Sequence, residues 1–246
     1  MDDINLTVVC CYNKRELYET MLGTLKNAET KFNVIGIDNT NNRFTSCAVA
    51  LNSAVSEVKT DFVIFAHQDV YFQSPSEFDI FAERLFETGE RDIMGVAGVM
   101  NEVRGRYTNI YRSFSGDYAL KDRAELLMEC DTLDECFFGG RTELFRKFPF
   151  DEELCNGWHL YCADRCLDIK RKGGHVWICG ITMFHPSDGV IDRSFINTFM
   201  RTARKYRGDY RTIRTCCSSC RTGAGKEISL IKMELLRLRL KLKRRA

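Results

Sequence analysis

The first hundred residues alternate between short apolar runs and segments with apolar side chains at helical spacing. The runs at residues 4–11, 32–37 and 61–66 are rich in β-branched and aromatic residues, which is typical of buried parallel strands. Between them, residues 14–27 and 45–58 have the period of helices that pack one face on a sheet. This β-α-β-α-β order predicts an α/β fold with a mostly parallel, Rossmann-like sheet flanked by helices.

The rest of the chain is less regular but still alternates. The pattern predicts buried strands over residues 93–100, 136–140 and 175–184, a loop or hairpin over 104–118, helices over 141–148, 158–172 and 195–206, and a basic, Leu-rich helix over 227–245. We expect one domain over residues 1–190, with a first half at 1–100 and a second at 101–190. Residues 191–246 should form a basic helical extension.

Polar clusters follow each of the three early strands. They are Tyr12-Asn13, residues 38–42 and His67-Gln68-Asp69. Ligands of open parallel sheets bind outside the carboxyl ends of the strands, so the three clusters should meet in one crevice. Neither GxGxxG nor GxxxxGK[ST] follows the first strand, which disfavours a dinucleotide-binding Rossmann site and a P-loop.

His67 and Asp69 are candidate metal ligands because they lie two residues apart at a strand end and can point the same way. An imidazole with a carboxylate suits Mn²⁺, whereas Mg²⁺ prefers oxygen ligands. Such a metal could bridge to the phosphates of a nucleotide. His185, at the end of a later strand, could be a third ligand. The alternative is a polar strand end capped by Asp69, with a structural His185.

Two further carboxylates are candidates for chemistry. Asp38 could hold a ribose hydroxyl or a base N–H at the crevice edge, although an Asx-turn explains it equally well. Asp164 lies among apolar residues on the helix predicted over 158–172. Desolvation there would raise its pKa and suit it to general-base catalysis. The alternative for Asp164 is a surface or helix-pairing role.

Charge is distributed unevenly along a chain of 246 residues whose net charge is only +2. Residues 200–246 hold 15 basic and three acidic side chains, whereas residues 1–199 hold 21 basic and 31 acidic ones. The basic segment could face phosphates, lipid headgroups or nucleic acid, or be a solvated helical face. Twelve cysteines without an evident export signal favour free thiols, and the CxxC at 217–220 lacks the second pair that a zinc site needs.

The chain resembles the GT-A fold glycosyltransferases of the family 2-like, nucleotide-sugar-dependent group over roughly residues 4–190. The resemblance rests on six motifs in order: the opening strand with Tyr12-Asn13, IDN at 37–39, FAHQDVYF at 65–72, FFGG at 137–140, WHLYCADRCL at 158–167, and the segment from Gly180 through HPSDG at 185–189. It implies that residues 1–100 bind the nucleotide and 101–190 the acceptor.

The resemblance also implies roles for individual residues. The base and ribose would be held by Tyr12, Asn13, Asp38 and Asn39. His67-Gln68-Asp69 replaces the family's DxD motif, which binds a divalent metal (Mn²⁺ or Mg²⁺) and the diphosphate, and His185 would be a late metal or diphosphate contact. Gly139, Gly140, Trp158 and His159 fall at the acceptor and donor-sugar pocket, and Asp164 at the base of inverting members. The first DxD acid is His67 here, and one acid of the pair near the base is Ala163.

These implications predict an inverting hexosyltransferase that uses a nucleotide sugar, with UDP expected, and a cell-surface glycan or lipid-linked acceptor. The basic, Leu-rich helix at 227–245 has the composition of an interfacial helix on anionic membrane, and an equally plain alternative is a helix that packs against a partner chain. From the first of these we expect a cytoplasmic protein peripheral to the inner membrane face. No nucleic-acid partner is expected, because the basic helix at 227–245 has no aromatic stacking residues. The alternatives are a nucleotidyltransferase and a non-catalytic nucleotide- or partner-binding module with a docking tail.

Overall fold

The computed structural model describes residues 4–112, 117–186 and 191–243. The first part of the chain follows the predicted order, through β1 (Leu6–Tyr12), α1 (Arg15–Leu25), β2 (Asn33–Asp38), α2 (Cys47–Val55), β3 (Phe62–Ala66) and α3 (Pro75–Phe86). The middle and the end comprise β4 (Ile93–Gly95), β5 (Ala97–Met100), β6 (Gly105–Thr108), β7 (Ile110–Tyr111), β8 (Leu127–Glu129), β9 (Thr132–Leu133), β10 (Phe137–Arg141), α4 (Thr142–Lys147), α5 (Tyr161–Arg171), β11 (Val176–Cys179), β12 (Met183–Phe184), α6 (Arg193–Lys205), β13 (Thr212–Arg214), β14 (Ser219–Arg221) and α7 (Lys226–Lys243).

The central sheet has seven strands in the order β2-β1-β3-β10-β4-β11-β8. Strands β2, β1, β3, β4 and β11 run in one direction, and β10 and β8 run against them. The predicted α/β class with a mostly parallel sheet is therefore confirmed. Two large apolar clusters cover the two faces of this sheet, because its central strands are apolar at nearly every position.

Two predicted strands are each divided between sheets. Residues 93–100 form β4 in the central sheet and β5 in a small sheet ordered β6-β5-β9. Residues 175–184 likewise divide into β11 and β12, with Gly180 between them. A Cβ on Gly180 would lie 2.2 Å from the carbonyl oxygen of Glu125, so only glycine fits where these two backbone segments pack closely.

The C-terminal segment packs against the rest of the protein. A third apolar cluster joins α5 and α6 to β13, β14 and α7 through side chains such as Leu167, Phe199, Tyr206 and Met233. None of the helices in the described residues is both long and apolar enough to cross a membrane. The predicted terminal helix is present as α7, while the domain boundary at residue 190 stays a prediction.

Candidate functional site

A cavity of about 1080 Å³ opens where β1 and β3 end. All three strand-end clusters contribute to its wall, through Tyr12, Asn13, Asn39, His67, Gln68 and Asp69. The helix side contributes Trp158, His159 and Tyr161, and the chain after β12 contributes His185. The parallel register of β1 with β2 and β3 places their carboxyl ends at one edge, which is why side chains far apart in sequence meet here.

The histidines and the carboxylate form a compact group at this edge. One possible ligand atom from each of His67, Asp69 and His185 lies within 4.8 Å of the other two. His185 Nε2 is 3.3 Å from Asp69 Oδ1, yet it is buried and has no hydrogen-bond partner among the described residues. Orphaned buried nitrogens are rare, and a divalent cation shared with Asp69 would satisfy this one. The donor set of two imidazoles and a carboxylate fits Mn²⁺ better than Mg²⁺.

The protonation states of this group suit metal binding. Burial, with a smaller contribution from His185, lowers the pKa of His67 to about 4, so its imidazole is neutral at neutral pH. Burial alone would raise the pKa of Asp69, but the neighbouring His185 and His67 outweigh it and hold that pKa below its ordinary value. The Tyr161 hydroxyl lies 3.2 Å from His67 Nε2 and fixes the ring.

Gln68 connects the ends of β1 and β3. Its side-chain oxygen accepts hydrogen bonds from the backbone N–H groups of Asn13 (3.0 Å) and Lys14 (2.9 Å). Its amide group donates to Asn13 Oδ1 at 2.8 Å. Gln68 therefore holds the loop after β1 in place next to the cavity, and the Asn13 side chain is already engaged.

The end of β2 is arranged differently from the ends of β1 and β3. Asp38 does not line the cavity: it forms an ion pair with Arg15 (2.5 Å) and accepts hydrogen bonds from the N–H and hydroxyl of Thr40. These contacts, the Thr40 hydrogen bonds foremost, hold the pKa of the Asp38 carboxyl below its ordinary value. Asn39 is buried and exchanges two hydrogen bonds with the backbone of Phe44. Asp38 thus lies at the rim in the Asx-turn that was the alternative, and Asn39 shapes its loop.

The structure places Asp164 away from the cavity, so its role as the base stays an untested prediction. Its carboxylate is 2% exposed and does not line the cavity. The Lys205 ammonium donates to both carboxylate oxygens at 2.8 and 3.0 Å, and the Tyr206 hydroxyl donates at 2.9 Å. Burial raises the pKa of Asp164, as expected, but α6 covers the group that would have to reach an acceptor. These contacts join α5 to the end of α6, which is the arrangement that the helix-pairing alternative describes.

The two glycines expected at the sugar pocket also lie away from the cavity, and their assignment stays a prediction. Gly139 and Gly140 lie inside β10, between β3 and β4, and neither lines the cavity. A Cβ on Gly139 would come within 2.3 Å of the Val63 carbonyl oxygen, and one on Gly140 within 2.8 Å of the Asp92 carbonyl oxygen. Glycine is needed here for close strand packing. Trp158 and His159 do line the cavity.

The cavity carboxylates that the sequence analysis missed are Asp122 and an adjacent pair, Asp134 and Glu135. Asp134 and Glu135 precede β10, and both line the cavity. The backbone N–H groups of Leu160 and Tyr161, at the start of α5, act to lower the pKa of the Glu135 carboxyl. Burial, followed by the charge of Asp134, nevertheless raises the pKa of Glu135 well above its ordinary value. Two adjacent acids just before an apolar strand that starts beside the crevice were the available signal.

Two further segments singled out in the sequence are HPSDG at 185–189 and the cysteines at 216–220. Ser187, Asp188 and Gly189 of the HPSDG motif lie outside the described residues. Cys216 and Cys217 line the cavity, and burial raises the pKa of both thiols. Within the described ranges, the group at His67 is the one arrangement of His, Cys, Asp and Glu that meets the geometry of a metal site.

Comparison with known proteins adds independent information. The sequence model of a family described as "Glycosyltransferase like family" matches residues 7–188. A curated protein of Fuscovulum blasticum, "ATP synthase subunits region ORF 6", is 28% identical over 159 residues, which is 61% of this chain and 61% of that protein. This chain therefore spans less than two thirds of that relative.

Solved structures share the fold at low sequence identity. GalNAc-T7, crystallised with UDP, GalNAc and Mn²⁺, has a TM-score of 0.55 at 9% identity, covering 85% of this chain and 49% of that one. TarS of S. aureus with UDP-GlcNAc has a TM-score of 0.55 at 14% identity over 84% and 68%. The mannosyltransferase PcManGT of Pyrobaculum calidifontis with GDP-Man and Mn²⁺ has a TM-score of 0.52 at 13% identity over 82% and 62%.

Proposed function

The chain belongs to the glycosyltransferase-like family, and we propose that it transfers a hexosyl group from a nucleoside-diphosphate sugar to a hydroxyl acceptor, with inversion at the anomeric carbon. The observation that carries the proposal is the group of His67, Asp69 and His185 beside a cavity at the carboxyl edge of the sheet. Structures of the same fold that hold UDP-GlcNAc or GDP-Man support the class of donor, and a UDP-sugar is the first donor to test.

The residues at the ends of β1 and β3 would bind the donor. Tyr12 lines the cavity and stacks on Tyr18, with ring centroids 4.2 Å apart, so its ring is fixed before any ligand arrives. Gln68 holds the Asn13 loop next to it. A divalent cation held by His67, Asp69 and His185 would neutralise the charge that develops on the departing diphosphate.

The acceptor proton would go to Glu135. In an inverting transfer the acceptor oxygen bonds to the anomeric carbon, the bond from that carbon to the diphosphate breaks, and a base takes the hydroxyl proton. Glu135 lines the cavity, whereas Asp164 is covered by Lys205 and Tyr206. A carboxylate whose pKa is raised above its ordinary value by burial is a stronger base, once ionised, than an ordinary one.

Donor turnover by the purified protein tests the proposal. UDP-, GDP-, CDP- and TDP-sugars would each be incubated with Mn²⁺, and release of the nucleoside diphosphate measured with water as the acceptor. We expect turnover of one donor class and a loss of about 100-fold or more in Glu135→Gln, since general-base catalysis contributes about 10²–10⁴-fold. Glu143→Gln, an exposed change on α4, is the control. Turnover of none of the donors would contradict the proposal.

The terminal helix supports a membrane-surface role, with a glycan or lipid-linked acceptor. Its apolar side chains at spacings of three and four are 47–69% exposed: Ile228, Ile231, Leu235, Leu238 and Leu242. Basic side chains accompany this stripe, and a helix of this kind binds the interface of anionic membranes. Placement in the cytoplasm, at the inner face of the membrane, is part of this proposal.

Vesicle binding tests the membrane-surface role. The whole protein should cosediment with phosphatidylglycerol vesicles and not with phosphatidylcholine vesicles. Ile231→Ser with Leu235→Ser should reduce binding about tenfold or more, because burial of each side chain contributes at least 1.5 kcal/mol. Val103→Ser, which removes an apolar side chain that is 59% exposed elsewhere, is the control. Equal binding by both variants would contradict the assignment of the helix.

A further inference from the structure

Three arginines line a second part of the cavity wall. Arg104 precedes β6 and has a positive φ of 54°, Arg106 lies on β6, and Arg214 ends β13. None of them forms an ion pair with an acidic side chain of the described residues. Two distant parts of the chain therefore place uncompensated positive charge at one site.

The electrostatics of this arginine cluster are unfavourable without a ligand. Burial, and then the charges of Arg104 and Arg106, lower the pKa of Arg214. The Nε atom of Arg214 is buried and has no hydrogen-bond partner among the described residues. Buried polar groups of this kind are normally satisfied, so the cluster is arranged for an anion that brings its own acceptor oxygens.

Nearby carboxylates do not neutralise the arginine cluster. Asp122 lines the same cavity, but its carboxylate accepts a hydrogen bond from the backbone N–H of Arg106 at 3.3 Å and makes no ion pair with the guanidinium. Asp134 also faces the cavity and accepts from the backbone N–H of Cys136. The guanidinium groups therefore remain available to a ligand.

We propose that Arg104, Arg106 and Arg214 bind a phosphate group carried by the acceptor. The inference rests on the proposed function, which assigns the donor diphosphate to the metal-ligand group at His67. Three guanidinium groups suit the nearly two negative charges of a phosphate monoester better than the single charge of a carboxylate, and their fork geometry matches its oxygens.

The same cavity also has apolar residues in its wall. They are Ile191, Phe195, Leu236 and Leu240, from the chain before and within α6 and from α7. An acceptor phosphate could therefore belong to a lipid-linked molecule or to a soluble sugar phosphate. Both share the chemistry that the arginine cluster recognises.

Calorimetric titration with defined phosphates tests the arginine cluster. The whole protein, saturated with nucleoside diphosphate and Mn²⁺, would be titrated with glucose 6-phosphate, with farnesyl phosphate and with neutral glucose. We expect at least one phosphate to bind and glucose not to bind. Arg106→Gln with Arg214→Gln should weaken that phosphate about tenfold or more and leave the affinity for nucleoside diphosphate within about twofold. Arg207→Gln with Arg211→Gln, exposed positions outside the cavity, is the matched control.

Each outcome separates this site from the proposed function. Binding of neither phosphate, or an equal loss in the control variant, would overturn the phosphate site. An equal loss of nucleoside-diphosphate affinity in the Arg106 and Arg214 variant would assign the cluster to the donor and also overturn it. If nucleoside diphosphate fails to bind but the arginines still bind phosphate, the proposed function fails and the anion site stands. Tighter binding of farnesyl phosphate would indicate a lipid-linked acceptor, and tighter binding of glucose 6-phosphate would indicate a soluble sugar phosphate.

Discussion

Replacing Asp164 with asparagine should damage stability much more than chemistry. The change removes the charge that receives two contacts from Lys205, at 2.8 and 3.0 Å, within a side chain that is 2% exposed. Breaking a buried ion pair costs about 3–5 kcal/mol. Lys205 is 28% exposed and keeps a second partner, Asp151, at 3.0 Å, so the expected loss here is smaller, about 2–3 kcal/mol.

For a chain of this size, that loss corresponds to a fall in Tm of about 4–12 °C. Urea unfolding and calorimetry would measure it, with donor turnover assayed at a temperature where the variant is folded. The control is Asp209→Asn, which removes a half-exposed ion pair with Arg171 and should change the free energy of unfolding by less than about 1 kcal/mol. A variant Asp164→Asn that keeps the wild-type Tm but loses turnover 100-fold would refute this reasoning and restore Asp164 as the base.

Two further predictions concern packing and pH. Gly139→Ala should destabilise the protein by about 1–3 kcal/mol in urea unfolding, because the new Cβ would lie 2.3 Å from the Val63 carbonyl oxygen. The control Gly23→Ala, in helix α1 with no atom within 4 Å of the new Cβ, should be neutral or stabilising. Equal effects of the two substitutions would contradict the packing argument. In metal-free protein, stability should fall as the pH drops from about 6.5 to about 4, because the unfolded chain then protonates His67 while the folded protein does not. As the pH drops, the Tm of His67→Gln should fall less steeply than the Tm of the wild type. Equal slopes in the two proteins would contradict the assignment of this pH dependence to His67.

The order of strands and helices could be predicted because the central strands are long and apolar on both faces. Residues 61–66 are an example, since Phe62–Ala66 are all buried in β3. Strands of two or three residues, such as β9 and β13, are too short to show a period and were missed. The division of residues 93–100 between two sheets was missed as well, because an unbroken apolar run does not show where its pairing partners change.

The candidate site was predicted where it depends on topology and missed where it depends on tertiary contacts. His67 and Asp69 follow β3 of the central sheet, and His185 follows β12, which an isolated bridge between Tyr71 and Phe184 holds beside them. Asp164 lies on a helix whose pattern indicates burial, but whether it faces a cavity or another helix depends on Lys205, 41 residues away. Glu135 had a signal in the sequence, as one of two adjacent acids before an apolar strand, but its position beside the start of α5 depends on tertiary contacts.

Binding of nucleoside diphosphates tests the central claim most directly. Isothermal titration of UDP and GDP into the purified protein, with and without Mn²⁺, would be compared with the same titrations of His185→Ala. The account predicts that one nucleotide binds in the presence of Mn²⁺ and that its affinity falls about tenfold or more without the metal or in the variant, because a lost ligand or outer-shell partner costs about 10–100-fold in metal affinity. A nucleotide affinity that is the same with and without Mn²⁺ and in His185→Ala would contradict the metal site. No binding of either nucleotide would contradict the donor site itself.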